Sequence, residues 1–114
     1  MIDTKQLTID LIEAREQAGR AIHGMEDSGT CNFDSVFLAT GKGKQLTRRS
    51  AKVEAAVKAA GCSCFHKGYG MRRGYVINVG LGGQGATRTK AAETVEKLLR
   101  AKGWTDIGMW YQMD

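Results

Sequence analysis

Two stretches of the chain, TRRSAKVEAAVKAAG at 47–61 and TRTKAAETVEKLLRAKG at 87–103, repeat one pattern at a fixed offset of 42 residues. Thr, Val-Glu, Ala and Gly recur in step, as in Val53 and Val95 or Gly61 and Gly103. Each stretch has the apolar spacing of an amphipathic helix, with a glycine placed as its C-terminal cap. Thr47 suits the start of the first, and the second is expected over 87–102 with Ala91, Val95, Leu98 and Leu99 inward. Trp104 can fold back onto its last turn. Short apolar segments flank both helices. Val36-Phe37-Leu38 and CSCFHK bracket the first, and RGYVINVG and IGMWYQM bracket the second. GYGMR, between the two inner segments, has the length and glycines of a hairpin loop. Ahead of all this, Leu7, Leu11, Ala14, Ala18, Ile22 and Met25 recur at helical spacing, predicting a helix over 4–25. Asp3 caps it, Gln6 serves as capping-box partner, and the polar EDSGT ends it.

After the leading helix the order is therefore β-α-β-β-α-β. It predicts an α+β protein in which an N-terminal helix precedes a ferredoxin-like, or split βαβ, antiparallel sheet with its helices on one face. One domain is expected over 1–114, with the leading helix within 1–28 and the ferredoxin-like core over 31–114. Apolar and charged fractions of 42% and 25% are ordinary for a globular chain. No apolar run approaches the roughly 20 residues that span a bilayer, and the N-terminus lacks the pattern of a secretory signal. Three cysteines rule out a complete internal disulfide set, so a cytoplasmic setting without a membrane is expected.

The net charge of +5 is unevenly spread. Residues 1–35 carry three bases and seven acids, net −4, whereas 36–73 carry nine bases against Glu54 alone, net +8. Such a segment suits an anionic partner, either nucleic acid or an acidic protein patch. The expected contact residues are Lys42, Lys44, Arg48, Arg49, Lys52, Arg72 and Arg73. Their convergence is not guaranteed if the helices share one sheet face.

Between strand and helix the glycines fall as Gly80-x-Gly82-x-x-Gly85, the spacing of a dinucleotide-binding turn. That turn also needs a parallel sheet and an acid at the end of the following strand, and here the strand sits in a hairpin. A plain strand-to-helix connection is the expectation. Exposed N–H groups at the helix start still favour an anion, with Gly82, Gly83, Gly85, Thr87 and Arg88 around it. Sequestration of a small signalling nucleotide is one function such a turn allows.

The same element order, with aromatics on the first and third strands, belongs to the RNA recognition motif. Val36-Phe37-Leu38 and Arg73-Gly74-Tyr75 resemble the openings of that family's two strand signatures; Val76, Ile77, Asn78 and Gly80 depart from them. The resemblance implies single-stranded RNA or DNA bound on the sheet, with Phe37 and Tyr75 as stacking residues. Cys62, Cys64 and His66, spaced i, i+2, i+4, project from one face of a strand, and Cys31 is the fourth ligand a tetrahedral zinc site needs. Paired C-x₂-C knuckles are absent, so packed thiols and no metal or cofactor are expected. Cys64 with His66 is the sole candidate nucleophile pair, with nothing to orient the imidazole. No enzyme is expected.

GMEDSGTCNFDS at 24–35 and the terminal MWYQMD resemble small proteins encoded by phages and other mobile elements. The resemblance implies an anti-defence protein, anti-CRISPR-like, acting in the host cytoplasm. It would inhibit by using the basic surface to occupy an anionic site on a host protein or nucleoprotein complex. Trp110 and Tyr111, large for a chain end, suggest homodimerisation through the closing strand.

Overall fold

The computed structural model describes residues 3–29, 31–41, 48–69, 72–83 and 85–111. Seven elements follow in order: α1 (Thr4–Ile22), β1 (Ser35–Gly41), α2 (Arg48–Ala59), β2 (Ser63–Tyr69), β3 (Arg72–Asn78), α3 (Ala86–Ala101) and β4 (Ile107–Trp110). The protein is α+β. Its four strands form one open sheet in the order β2-β3-β1-β4, and each neighbouring pair is antiparallel. The helix α2 carries the chain from β1 past β3 to β2, and α3 carries it from β3 past β1 to β4.

Pairing register decides which residues meet the helices, because successive side chains on a strand point to opposite faces. Val36 lies opposite Ile77 and Leu38 opposite Tyr75, so these four share the inner face. They pack with Leu7, Leu11, Ala14 and Ala18 of α1, Val53 and Val57 of α2, and Val95 and Leu99 of α3. Leu7 and Leu11 are wholly enclosed, each contributing about 2 kcal/mol by buried apolar area. The leading helix therefore completes the core rather than decorating it. The opposite face has its own small cluster, Phe37, Ala39 and Val76, and no helix covers it among the described residues.

The termini of α1 differ from expectation in two respects. The helix stops at Ile22, where His23 turns to ψ 125°, so Met25 lies outside it and is exposed. The Asp3 carboxylate accepts from the Gln6 backbone N–H at 3.0 Å. The Gln6 side chain, however, donates forward to the buried Asp10 at 2.9 Å instead of back to the cap. Asp10 also accepts from the Trp104 indole N–H at 2.8 Å. That bond pins α1 to the end of α3. Both repeated helices close alike: Cys62 N–H bonds the Val57 carbonyl and Trp104 N–H the Leu99 carbonyl. Gly61 and Gly103 supply the positive φ of this Schellman closure.

Gly74 stands where β3 approaches β1 at a break in register between Ala39 and Gly41. A methyl group there would lie 2.1 Å from the Leu38 carbonyl oxygen, and a backbone atom cannot yield as a side chain can. Gly74→Ala is expected to cost about 3 kcal/mol, measured by urea unfolding. A loss under about 1 kcal/mol would mean that the two strands do not pack this closely.

Candidate nucleic-acid interface

On β2 the alternation that sends Cys64 and His66 inward sends Phe65 and Lys67 outward. Phe65 pairs with Val76 and Lys67 with Gly74, and Val76 pairs with Phe37, so all five belong to the open face. Trp110 of β4 lies opposite Ser35 and joins the same face. The Phe65 and Trp110 rings meet edge to face at 5.7 Å, covering Phe37, which is only 3% exposed. Phe65 itself remains 51% exposed. The Lys67 ammonium sits 5.5 Å from the Trp110 ring centre, within the range of a cation–π contact.

A second cation and a second exposed ring flank this pair. Arg88, in the first turn of α3, donates through Nε to the Asp34 carbonyl at 3.0 Å and through a terminal nitrogen to Ser35 Oγ at 3.2 Å. Its guanidinium lies 5.9 Å from the Phe33 ring. Phe33, Ser35, Ser63, Cys64, Phe65, Asn78, Arg88 and Trp110 line a shallow groove of about 430 Å³. Three exposed or half-exposed aromatic rings, each near a cation or another ring, present apolar faces beside fixed positive charge. Flat bases and phosphates need that combination.

Phe37 lies on this face but beneath the rings, as their support. Tyr75 does not: it is fully buried on the helix side, its ring 5.4 Å from His66. The expected pairing of Phe37 with Tyr75 as a platform is therefore corrected. Phe37 pairs with Val76, and the one-residue offset puts Tyr75 on the other face. Phe65, Trp110 and Phe33 take that position instead. The signal for Phe65 was present in CSCFHK, on the alternate positions to the Cys and His residues.

The basic segment is divided between two sides. Lys42 and Lys44 lie outside the described residues, as do the side chains of Arg48, Arg49 and Arg72. Among the rest, Lys67 is on the open face, while Lys52 is exposed on α2 in the helix layer. Lys58, also on α2, pairs with Glu54 at 3.0 Å. Arg73 lies on the helix side of β3, its guanidinium across Gly68.

The glycine turn is filled from within. Asp27 accepts from Gly85 N–H at 3.1 Å, from Thr87 N–H at 3.2 Å and from the Thr87 hydroxyl at 2.8 Å. Ser28 contributes its carbonyl to Ala86 N–H at 2.7 Å. Side chains on Gly83 or Gly85 would collide with this segment, at 2.0 Å from Asp27 and 2.3 Å from Ser28. Gly82 adopts φ 84°, and the N–H of Gly83 bonds Thr87 Oγ1. The anion expected at Gly82, Gly83, Gly85 and Thr87 is thus the chain's own carboxylate, and Arg88 faces the groove instead.

The thiols and His66 do not converge. Cys62 belongs to the closure of α2, with its sulfur 3.9 Å from the Val79 carbonyl, and Cys31 is exposed on the connection between α1 and β1. No group of three His, Cys, Asp or Glu side chains among the described residues is arranged to hold a metal. Burial, with the Glu54 charge adding to it, pushes the Cys64 thiol up to about 11, and burial raises Cys62 as well. Thiolate is the reactive form, so at pH 8 one fast-labelling sulfur is expected. A thiol reagent should modify Cys31 first, half-buried Cys64 more slowly because its thiol stays protonated, and buried Cys62 only on unfolding. Rapid labelling of Cys62 in the folded protein would contradict the burial described.

At the other edge of the sheet, Tyr111 donates its hydroxyl to Glu93 at 3.0 Å, while Trp110 turns onto the open face. No helix among the described residues is long and apolar enough to cross a membrane. Comparison with known protein families, curated proteins and solved structures finds no match.

Proposed function

We propose that this is a non-enzymatic binding protein that holds single-stranded RNA or DNA on its open sheet face. One observation carries the proposal: Phe65 and Trp110, in contact on an uncovered sheet, with Lys67 against the indole. Bases stack on such rings while phosphates meet the cations at their margin. The strand order β2-β3-β1-β4, with two β-α-β units interleaved, supports a ferredoxin-like core over 31–114. That core leaves one sheet face for a ligand. Inhibition of a host nucleoprotein through the whole basic segment is less well supported, because the described cations lie on both sides of the sheet. The nucleotide-sink proposal is weakened by Asp27, which fills the turn it requires.

The test is titration of labelled 12-nucleotide RNA and DNA by fluorescence anisotropy at several salt concentrations. Saturable binding is expected, with log affinity falling by roughly 2 per log unit of salt for about three phosphate contacts. No binding at about 100 µM protein in low salt, where even non-specific binders saturate, would dispose of the proposal. Preference for RNA over DNA would indicate contacts to the 2′-hydroxyl.

A further inference from the structure

Arg88 is fixed along one edge of its guanidinium and open along the other. It stands in the first turn of α3 and lines the groove. Nε and Nη2 form the fixed edge, and both are taken by the entry to β1. Nε donates to the Asp34 carbonyl at 3.0 Å, and Nη2 donates to Ser35 Oγ at 3.2 Å. Ser35 is buried, and its hydroxyl donates in turn to the Phe33 carbonyl at 2.8 Å. The anchor is itself anchored. The Asp34 carboxylate accepts from the Thr89 hydroxyl at 2.8 Å, and none of the described carboxylates forms an ion pair with Arg88. Of the five N–H donors of an arginine, those on Nη1 and the second on Nη2 bond to none of the described residues. They make up the opposite edge.

We infer that this open edge is a phosphate fork, taking two unesterified oxygens of one phosphate from the strand seated in the groove. The inference rests on the proposal that the open face binds a single strand. Two parallel N–H groups on a planar cation match two oxygens of a phosphate. Holding the other edge in place reduces the side-chain entropy lost when the ligand binds. Lys67 differs in kind: a point charge on a flexible stem against the Trp110 ring, it attracts a phosphate without orienting it. The backbone N–H groups at the start of α3 do not compete, since Asp27 occupies those of Gly85 and Thr87. Phe33, 5.9 Å from the guanidinium, puts a stacking surface beside the fork, as a nucleotide requires. Two sources carry these oxygens, a diester within the strand and a monoester at its 5′ end.

The test is anisotropy with a 12-nucleotide oligothymidylate, with and without a 5′-phosphate. Arg88→Lys keeps the charge and loses the fork. Its affinity is expected to fall about ten-fold, the worth of one charge-assisted hydrogen bond, with the salt dependence unchanged. Arg88→Ala removes the charge too, and its salt slope should shrink by about 0.7. An effect acting only through the seating of Phe33 is separated by placing Arg88→Lys in a Phe33→Ala background, where the ten-fold loss should persist. A 5′-phosphate that strengthens binding to the wild type but not to Arg88→Lys assigns the fork to the strand end. Equal binding of the two strands assigns it to a diester. Wild-type affinity in Arg88→Lys, with Phe65→Ala still weakening binding, would overturn the fork and leave the interface standing. A loss that vanishes in the Phe33→Ala background would overturn it as well. Failure of the wild type to bind either strand would remove fork and interface together.

Discussion

Asp27→Ala is expected to destabilise the protein by about 2 kcal/mol, a fall in melting temperature of about 8 °C for a chain of this size. The carboxylate accepts from two backbone N–H groups and a hydroxyl at the start of α3, where the helix dipole favours negative charge. Asp27 is exposed, so water replaces some of what is lost and the effect stays below that of a buried charge. The loss reaches further than one helix end. The segment carrying Asp27 continues into Asn32, which donates to the Gly85 carbonyl at 3.1 Å, and Asp34, which accepts from Thr89 at 2.8 Å. These bonds hold Phe33 beside Arg88. Asp27→Asn retains a neutral acceptor and should lose about half as much. Inorganic phosphate should stabilise Asp27→Ala more than the wild type, because the vacated N–H groups form an anion site. Unchanged stability in Asp27→Ala would mean that the glycine turn is not held by this carboxylate.

Phe65→Ala is expected to weaken oligonucleotide binding between about 10-fold and 100-fold, the range for loss of one stacked base. Phe65 is half exposed, so removing it costs less stability than truncating a core residue, and the variant should fold. Trp110→Ala removes a stacking surface together with the seat of Lys67, and an effect at least as large is expected. The two rings touch, so the double variant should lose less than the combined single effects. Lys67→Ala, removing one exposed cation, should cost only a few-fold and flatten the salt dependence. Tyr75→Phe should leave affinity unchanged, since that ring lies on the helix side. Loss of binding in Tyr75→Phe with Phe65→Ala unaffected would reverse the assignment of faces.

The course of the chain was legible wherever local chemistry decides it. Periodic apolar residues marked all three helices, and Gly61 and Gly103 marked two helix ends to within a residue or two. The end of α1 was not legible, because Ile22 and Met25 continue the apolar spacing past the point where the chain turns at His23. The sheet faces escaped for another reason. Whether Phe37 stands beside Tyr75 or Val76 depends on register, and register is a pairing between segments distant in sequence. A one-residue slip exchanges core and surface. The glycine turn is the plain strand-to-helix connection expected, but the anion site allowed there is filled from within: its N–H groups looked free because Asp27 lies 58 residues from Gly85. Charge counted along the chain assigns no sides; it was the expected helix layer that put convergence in doubt, and Lys52 of α2 and Lys67 of β2 do lie on opposite sides of the sheet.

Mapping a bound 12-nucleotide strand by backbone and indole amide shifts tests the central claim most directly. The account predicts the largest changes at Phe33, Phe65, Lys67, Asn78, Arg88 and the Trp110 indole, with α1 and the outer side of α2 unmoved. Changes confined to α2, with the Trp110 indole silent, would contradict it.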